Sequence, residues 1–407
     1  MTRPVGTDES AGPPAGQTLA ETGEFGLIAR VTRRLGTGGA CLLGPGDDAA
    51  VVASPDGRVV VTTDVLVDGR HFRRDWSSAR DIGHRAAAAN LADIAAMGAY
   101  PTALLVALCA PRELPAAWAE ELADGLASEA AMVGARVVGG DVAASPTLTV
   151  AVTALGSLSG RPPLTRAGAR PGDTVAVMGR IGYAAAGYTV LSRGFRSPKI
   201  LVEAFRRPQV PYAAGPEGAL LGATSMIDIS DGLVADLGHI AAASGVTIDL
   251  DRSAFDVPEQ MRDAAAALGV DVFSWVLTGG DDHALAATFP PDVLLPLQWR
   301  IIGRVGERRS PEPAEGAALS GSRTAGAPSA AGLTLVARPP GAAPTGVGSP
   351  ANGTPTGATS AAGAATTGAP AAGTSASGVP ADGAPATGGV TVDGEPFVGT
   401  PGWDHFR

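Results

Sequence analysis

Six short motifs place an aspartate beside a glycine or at the end of a predicted strand or helix, and they constrain the fold more than any other feature. They are Gly46-Asp47-Asp48, Thr62-Thr63-Asp64, Asn90-Leu91-Ala92-Asp93, Gly139-Gly140-Asp141, Asp228-Ile229-Ser230-Asp231-Gly232 and Gly279-Gly280-Asp281-Asp282. A turn explains any single one, because Asp hydrogen-bonds its own backbone and Gly tolerates a positive φ. Ligand sites in α/β folds form where strands end, so the recurrence favours one shared site. Gathered carboxylates repel one another unless cations neutralise them, and oxygen-only ligands suit Mg²⁺.

Composition excludes several classes of partner. The chain has 407 residues, of which 45% are hydrophobic, and a formal net charge of -10, so it can hold two domains with cores. The acidic balance and the lack of a basic run argue against nucleic acid or an anionic membrane surface as partner. Cys41 and Cys109 lack metal-ligand spacing, and no segment has the apolar length of a membrane span or a signal peptide. We expect a cytoplasmic protein.

Lysine is nearly absent, and this restricts the chemistry further. Lys199 is the only lysine, and it stands in Arg196-Ser197-Pro198-Lys199-Ile200 rather than after a glycine-rich loop. The chain therefore has no Walker A loop and no protein-kinase lysine, and a Schiff-base enzyme is disfavoured. Any nucleotide chemistry must depend on aspartates and Mg²⁺.

The order of predicted elements indicates a two-domain α+β or α/β protein. Residues 1–22 are predicted to be a disordered extension, and residues 23–160 a first domain with a mixed, largely antiparallel sheet and helices on one side. Within it, strands at 49–53 and 58–65 are expected to form a hairpin. Residues 161–306 and 389–407 are expected to form a C-terminal α/β domain. Between them, residues 307–388 are an Ala/Gly/Pro/Ser/Thr-rich insertion, expected to be disordered because it cannot bury enough apolar surface.

Single residues leave open alternatives. Ser230 and Asp231 stand where a strand runs into a helix, so they either meet an anion or simply cap the helix. His71 is isolated, which is more typical of a packed or solvated histidine than of a catalyst. Arg166 either contacts phosphate oxygens or is solvated. Trp403 is either a core residue or a stacking surface.

Taken in order, the motifs resemble the thiamine-monophosphate kinase family, in the superfamily of aminoimidazole ribonucleotide synthetase. The resemblance extends from Gly23 to about Val305 and resumes at about Val390. It implies an N-terminal ATP-binding, Mg²⁺-binding and dimerisation domain whose sheets form a barrel in a homodimer. It also implies ATP-dependent, in-line phosphorylation of thiamine monophosphate to thiamine diphosphate, the last step in making that cofactor.

Residue roles follow from the same resemblance. Several Mg²⁺ ions would be held by Asp48, Thr62, Thr63, Asp64, Asp93, Asp141, Asp228 and Asp231. ATP would contact Gly140, Asp141, Arg166 and Ser230, and thiamine monophosphate would contact His71, Asp281 and Trp403. No general base is assigned, because a phosphate monoester with a second pKa of about 6 is largely ionised at neutral pH. Asp281 stands where the family usually has glutamate, so this substrate contact is one methylene shorter.

Three alternatives remain at this stage. Another ATP-dependent synthetase of the superfamily would share most motifs, although Thr62-Thr63-Asp64 and Gly402-Trp403-Asp404-His405-Phe406 favour the kinase. A Mg²⁺-dependent phosphatase would also use clustered aspartates. A non-catalytic nucleotide-binding module would keep part of the cluster. Incubation with thiamine monophosphate, ATP and Mg²⁺ would distinguish them. The kinase would form thiamine diphosphate and ADP, the phosphatase would release free phosphate, and the module would bind ATP without turnover.

Overall fold

The computed structural model describes residues 17–22, 27, 30–35, 39–43, 51–307, 389–400 and 402. Asp48 and Trp403, two of the predicted site residues, lie outside the described residues. So do residues 1–16 of the predicted extension and all of the predicted insertion after Glu307. Within the described residues, no helix is long and apolar enough to cross a membrane.

The start of the described chain corrects two predictions. Helix α1 (Leu19–Thr22) is tied to the fold, because Leu19 N–H donates to the Leu114 carbonyl at 2.8 Å and the Gln17 carbonyl accepts from Ala116 N–H at 2.8 Å. Residues 17–22 are therefore not part of a disordered extension. Strand β1 (Cys41–Leu43) pairs with β2 (Val51–Val52). The predicted hairpin of 49–53 with 58–65 is wrong, because the second of these segments has its partner in a different sheet.

A four-stranded sheet lies in the first half of the chain. Its strands are β3 (Val60–Val67), β4 (Tyr100–Ala110), β5 (Arg136–Ala144) and β6 (Thr149–Ser157), in the order β3-β6-β4-β5. The β3/β6 and β6/β4 pairs are antiparallel and the β4/β5 pair is parallel, which confirms the prediction of a mixed, largely antiparallel sheet. Side chains of β3 alternate between the helix-covered face and an exposed face, where Val61 and Val65 lie.

Two helices cover the other face of this sheet. Helix α2 (Ala79–Ala96) begins in a capping box, in which Asp81 N–H donates to Ser78 Oγ at 3.2 Å and Ser78 N–H donates to Asp81 Oδ2 at 3.0 Å. Helix α3 (Ala116–Met132) packs closely against α2. A Cβ on Gly83 of α2 would stand 2.2 Å from the Leu122 carbonyl oxygen of α3, so glycine is required for this close approach.

The second half is a seven-stranded sheet with helices. Its strands are β7 (Thr174–Met178), β8 (Ser225–Asp228), β9 (Thr247–Leu250), β10 (Leu285–Phe289), β11 (Arg300–Gly306), β12 (Val390–Val392) and β13 (Glu395–Pro396), in the order β13-β12-β9-β11-β7-β10-β8. The helices are α4 (Tyr183–Ser192), α5 (Lys199–Arg206), α6 (Ala214–Leu221), α7 (Leu233–Ser244), α8 (Glu259–Leu268) and α9 (Val272–Thr278). Strand β12 pairs in parallel with β9, so the chain after the insertion returns to the fold, as predicted.

Candidate active site

A cavity of about 660 Å³ lies among the elements that carry most of the aspartate motifs. Its wall is formed by residues of β3, α2, α4 and α5, by the segment after β8, and by the loop between α9 and β10. Of the predicted site residues, those that line it are Asp64, His71, Asp93, Arg166, Asp228, Ser230, Asp231 and Asp281. The structure therefore brings together eight predicted residues that are far apart in the sequence.

Asp93 on α2 interacts with Thr62, Asp64 and Asp228 from other elements. Its Oδ2 accepts a hydrogen bond from Thr62 Oγ1 at 2.7 Å. Burial raises the pKa of Asp93 to about 7, and the charges of Asp228 and Asp64 add to this effect against the Thr62 hydrogen bond, which lowers the pKa. Three carboxylates from β3, α2 and the end of β8 thus act on one another. A cation would relieve their repulsion.

Asn90 holds the strand that carries Asp64 against the helix that carries Asp93. Asp64 N–H donates to Asn90 Oδ1 at 3.0 Å, and Asn90 Nδ2 donates back to the Ala86 carbonyl at 2.9 Å. Asn90 is buried, and both of its polar ends are paired. We conclude that Asn90 orients β3 and α2 and that its side chain is occupied within the protein.

The segment from Asp228 to Gly232 is held by backbone contacts with the loop after α9. Asp281 N–H donates to the Ser230 carbonyl at 2.8 Å, and a Cβ on Gly280 would stand 2.2 Å from the same oxygen. Buried Asp236 accepts hydrogen bonds from the N–H groups of Asp231 and Gly232 at 3.1 and 3.0 Å. Burial, with the nearby negative charges, raises the pKa of Asp236 well above its usual value. Asp236 is a support of the site that sequence reasoning missed.

His283 is a second support, which sequence reasoning noted only as part of a motif. Its Nδ1 lies 3.0 Å from Asp228 Oδ2, and both side chains are buried. Burial alone lowers the pKa of His283, but the hydrogen bond to Asp228 and nearby carboxylate charges raise it above the usual value. A positive φ of 51° places the residue here. The imidazole therefore fixes the orientation of a predicted metal ligand, as second partners of ligating groups commonly do.

Arg85 is a third support of the site, and sequence reasoning missed it. Its Nη2 pairs with Asp281 Oδ2 at 2.7 Å, and its Nη1 donates to the Phe205 carbonyl at 3.0 Å. Only 6% of the Arg85 side chain is exposed, against 51% for Asp281. Arg85 thus holds the carboxylate of Asp281 in the cavity wall. A one-turn periodicity could have indicated it, because Arg85, Ala89 and Asp93 lie four residues apart and all line the cavity.

Of the predicted residues that the structure describes, four do not line the cavity. Thr62 contacts it indirectly through Asp93, whereas Thr63 lies on the opposite face of β3 and donates to the Val152 carbonyl at 2.9 Å. Gly140 and exposed Asp141 lie on β5, at the far edge of the four-stranded sheet from β3. Neighbouring strands are about 4.8 Å apart, so three steps separate Asp64 from Asp141 by roughly 14 Å along the sheet. Within a single chain, Asp141 therefore does not lie near the other carboxylates.

The donor set fits Mg²⁺ in a particular way. Among the described residues, no three His, Cys, Asp or Glu side chains converge closely enough to hold an ion between them. Mg²⁺ does not need such a cage, because it is usually held by one or two carboxylates together with water and substrate phosphates. Asp64, Asp93 and Asp228 provide oxygen donors of this kind around a cavity large enough for phosphates. The residues present therefore fit Mg²⁺ brought in with a nucleotide.

Comparison with known proteins identifies the family. The models of AIR synthase related protein match over residues 46–158 for the N-terminal domain and 170–288 for the C-terminal domain. Thiamine-monophosphate kinase of Mycobacterium tuberculosis is 50% identical over 289 residues, which cover 71% of this chain and 86% of that protein.

Solved structures agree with this assignment. Thiamine-monophosphate kinase from Stenotrophomonas maltophilia K279a is 32% identical, with a TM-score of 0.60 over 69% of this chain and 92% of that one. AaThiL complexed with AMPPCP and TMP is 30% identical, with a TM-score of 0.59 over 74% and 98%. The predicted two-domain fold and family are confirmed: the chain belongs to the thiamine-monophosphate kinase family, among the AIR synthase related proteins.

Proposed function

We propose that this protein transfers the γ-phosphoryl group of ATP to thiamine monophosphate, forming thiamine diphosphate and ADP. The observation that carries the proposal is the cluster of Asp64, Asp93 and Asp228 around one cavity, in a chain that belongs to this kinase family. The complex of AaThiL with AMPPCP and TMP supports both substrates. No observation on this chain favours the synthetase, the phosphatase or the non-catalytic module.

The reaction needs positioning more than covalent participation by the protein. An ionised phosphate oxygen of thiamine monophosphate forms a bond to the γ-phosphorus, while the bond from that phosphorus to the bridging oxygen of ADP breaks. Ser230 and Arg166 are proposed to contact ATP, and His71 and Asp281 the acceptor; all four line the cavity. Since the attacking oxygen already carries negative charge, no side chain has to remove a proton.

We further propose that Mg²⁺ is the metal of this site. When bound, it would offset the negative charge of the crowded phosphates. Asp64, Asp93 and Asp228 would hold it from the cavity wall, with Thr62 fixing the Asp93 carboxylate and His283 the Asp228 carboxylate. Asp231 is a further proposed ligand, and Asp48, Thr63 and Asp141 are proposed from the family resemblance.

We also propose that the protein is a cytoplasmic homodimer. β3 and β5 are the two edges of the four-stranded sheet, and exposed edges are commonly covered by pairing. The open face of the sheet exposes Val61 and Val65 by 63% and 47%, and Leu105 by 38%. Two copies closed into one barrel would bury both features. With β3 beside β5 of the second copy, Asp141 of the partner subunit would come near Thr63 and Asp64.

Incubation of the full chain with ATP, thiamine monophosphate and Mg²⁺ tests the proposed activity. We expect thiamine diphosphate and ADP in equal amounts, measured by chromatography. Asp93→Asn should lower turnover at least 100-fold, because the site then loses one of the three carboxylates that are proposed to hold Mg²⁺. The control is Asp263→Asn, on the exposed face of α8, which should retain wild-type turnover. Free phosphate without thiamine diphosphate, or a fully active Asp93→Asn enzyme, would contradict the proposal.

A further inference from the structure

Three aromatic side chains from different elements meet in the wall of the cavity. Trp76 precedes α2, Tyr188 lies on α4 and Phe205 lies on α5, and we refer to the three as the aromatic cluster. Their ring centroids are 5.8 Å apart for Trp76–Tyr188 and 6.0 Å apart for both Trp76–Phe205 and Tyr188–Phe205. These are spacings at which aromatic rings attract one another. None of the three was predicted as a site residue.

The helices that carry the cluster are held at close range. A Cβ on Gly187 of α4 would stand 2.1 Å from the Leu201 carbonyl oxygen of α5, so glycine lets the two helices approach until Tyr188 and Phe205 meet. Trp76 is anchored from α5, because Arg206 Nε donates to the Trp76 carbonyl at 2.5 Å. The cluster is thus preformed, and a ligand would not have to assemble it.

Exposure distinguishes Tyr188 from an ordinary core residue. Trp76 and Phe205 are 9% and 4% exposed, whereas Tyr188 is 42% exposed although it contacts both of them. Large aromatic side chains that reach an open cavity are a common feature of small-molecule sites. Tyr188 therefore offers ring surface to a ligand, and the two buried rings hold it in place.

The cluster lies away from Asp93, at the end of the cavity where Arg85 pairs with Asp281. Arg85 packs over the Phe205 ring, with its guanidinium carbon 4.6 Å from the ring centroid, and it precedes Asp93 by eight residues on the same helix. At 1.5 Å per residue this is about 12 Å along the helix axis. The cavity thus has a carboxylate end at Asp93 and an aromatic end near Arg85. In between, Ala89 contributes only a methyl group to the wall.

The charges around the aromatic end select the kind of ring that fits. Arg73 lies over the Trp76 ring, with its guanidinium carbon 4.6 Å from the centroid, and Arg85 lies over Phe205. Each of these guanidinium groups is paired with a carboxylate, Arg73 with Asp75 and Arg85 with Asp281, so the rings have their cations already and no unpaired negative charge beside those cations attracts another. A neutral, planar heteroaromatic ring needs no counter-charge and can pack against Tyr188.

We infer that the aromatic cluster binds the neutral aminopyrimidine ring of the acceptor, with Tyr188 as its contact. This inference rests on the proposed function. In thiamine monophosphate the aminopyrimidine is the ring farther from the phosphate, and the cationic thiazolium lies between them. With the phosphate at the carboxylate end, the aminopyrimidine reaches the aromatic end. Tyr188 thereby contributes to selection of a ring-bearing phosphate monoester over a simple one.

The test compares Tyr188→Leu with Tyr188→Phe. Leucine keeps apolar volume but removes the ring, so KM for thiamine monophosphate should rise roughly 2- to 12-fold, with kcat and KM for ATP changed less than about twofold. Tyr188→Phe keeps the ring and should retain a KM close to that of the wild type. Tyr183→Leu is the matched control, because Tyr183 is on the same helix but does not line the cavity. It should leave all three constants unchanged.

Thiamine, which lacks the phosphate, separates this inference from the proposed function. Calorimetric titration should show weaker thiamine binding to Tyr188→Leu than to the wild type or Tyr183→Leu, by the same factor as the rise in KM. If the wild type makes thiamine diphosphate but Tyr188→Leu has an unchanged KM, the inference fails and the function stands. If the wild type makes none, the function fails, and equal or undetectable thiamine binding by the wild type and Tyr188→Leu overturns the inference as well.

Discussion

Asp281 and Asp282 are adjacent but do different things. Asp281 is half exposed in the cavity wall and pairs with Arg85, whereas Asp282 is only 4% exposed and faces the start of α4. Its two carboxylate oxygens accept hydrogen bonds from Gly182 N–H and Ala184 N–H, the latter at 2.8 Å. The second aspartate of the motif therefore caps a helix from a distance. For this residue the turn-or-cap interpretation of a Gly-Asp motif is the right one.

Asp282 leads to a prediction about stability and pH. Burial raises its pKa from 3.8 to about 7, against the two backbone hydrogen bonds that lower it. Between these pH values the folded protein holds a proton that the unfolded chain has released, so the stabilisation present below pH 3.8 is lost as the pH rises through about 7. The effect is on the order of a few kcal/mol.

Asp282→Asn removes this titration. We expect the free energy of unfolding of the wild type, relative to that of the variant, to fall between pH 4 and pH 8. Loss of a capping oxygen adds a pH-independent offset, which does not change the slope. Urea denaturation at several pH values measures the difference. A constant difference, or one that grows with pH, would contradict the prediction.

At the scale of elements, the packing of α2 on α3 determines where Arg85, Asn90 and Asp93 stand. The helices touch backbone to backbone: a Cβ on Gly83 would be 2.2 Å from the Leu122 carbonyl oxygen, and one on Gly125 would be 2.1 Å from the Arg80 carbonyl oxygen. Alanine normally favours a helix by about 1 kcal/mol over glycine. At Gly83 and Gly125, however, an alanine Cβ would clash with a carbonyl oxygen of the facing helix, so the two helices would have to move apart.

We therefore expect Gly83→Ala and Gly125→Ala each to lower the free energy of unfolding by about 1–3 kcal/mol. Turnover should fall as well, since α2 carries part of the cavity wall. The control is Gly218→Ala in α6, where the nearest atom is the terminal methyl group of Met226 at 2.5 Å. That side chain can rotate away, so the loss should be smaller. Equal losses at all three glycines, measured by urea denaturation, would show that backbone contact is not the cause.

At the scale of the whole molecule, the proposed dimer leads to a prediction about Asp141. It lies on β5, at the opposite edge of the sheet from Asp64. If Asp141 acts across a dimer interface, Asp93→Asn and Asp141→Asn chains complement each other. Co-refolded at equal amounts, half of the dimers are mixed and each has one intact site, so about a quarter of wild-type activity should return.

Two results would contradict this arrangement. Activity that stays absent in the mixture, with dimers confirmed by light scattering, would mean that Asp141 acts within its own chain, and a fully active Asp141→Asn enzyme would mean that it takes no part. A monomer at working concentration would exclude the shared site. Val61→Asp provides the matched surface variant, because Val61 is 63% exposed on the open face and does not line the cavity. A charge buried in the barrel would separate the subunits and abolish complementation.

Local sequence patterns were enough to predict much of this fold. The acidic residue in the first turn and the glycine just past the end predict a helix over 78–97, and α2 lies at Ala79–Ala96, because these start and stop signals are encoded next to the helix itself. The hairpin between 49–53 and 58–65 was wrong, because strand partners depend on distant segments: β3 pairs with β6, almost ninety residues further on. Residues 17–22 were missed for the same reason, since the partners of α1 are near Leu114.

The sequence by itself determined which residue types are available for the nucleotide and acceptor: for a chain with one lysine and recurrent aspartates at element ends, we propose carboxylates and a divalent cation. It also determined the family, because ordered motifs are specific even when each member is not. The tertiary structure decided the rest. Only three-dimensional packing could place His283 on Asp228, Arg85 on Asp281 and three aromatic rings beside one another, because contacts between residues far apart in the chain leave no periodic signal. It likewise separated Asp141 from the other carboxylates, since strand order is set by the closing of the sheet and not by spacing along the chain.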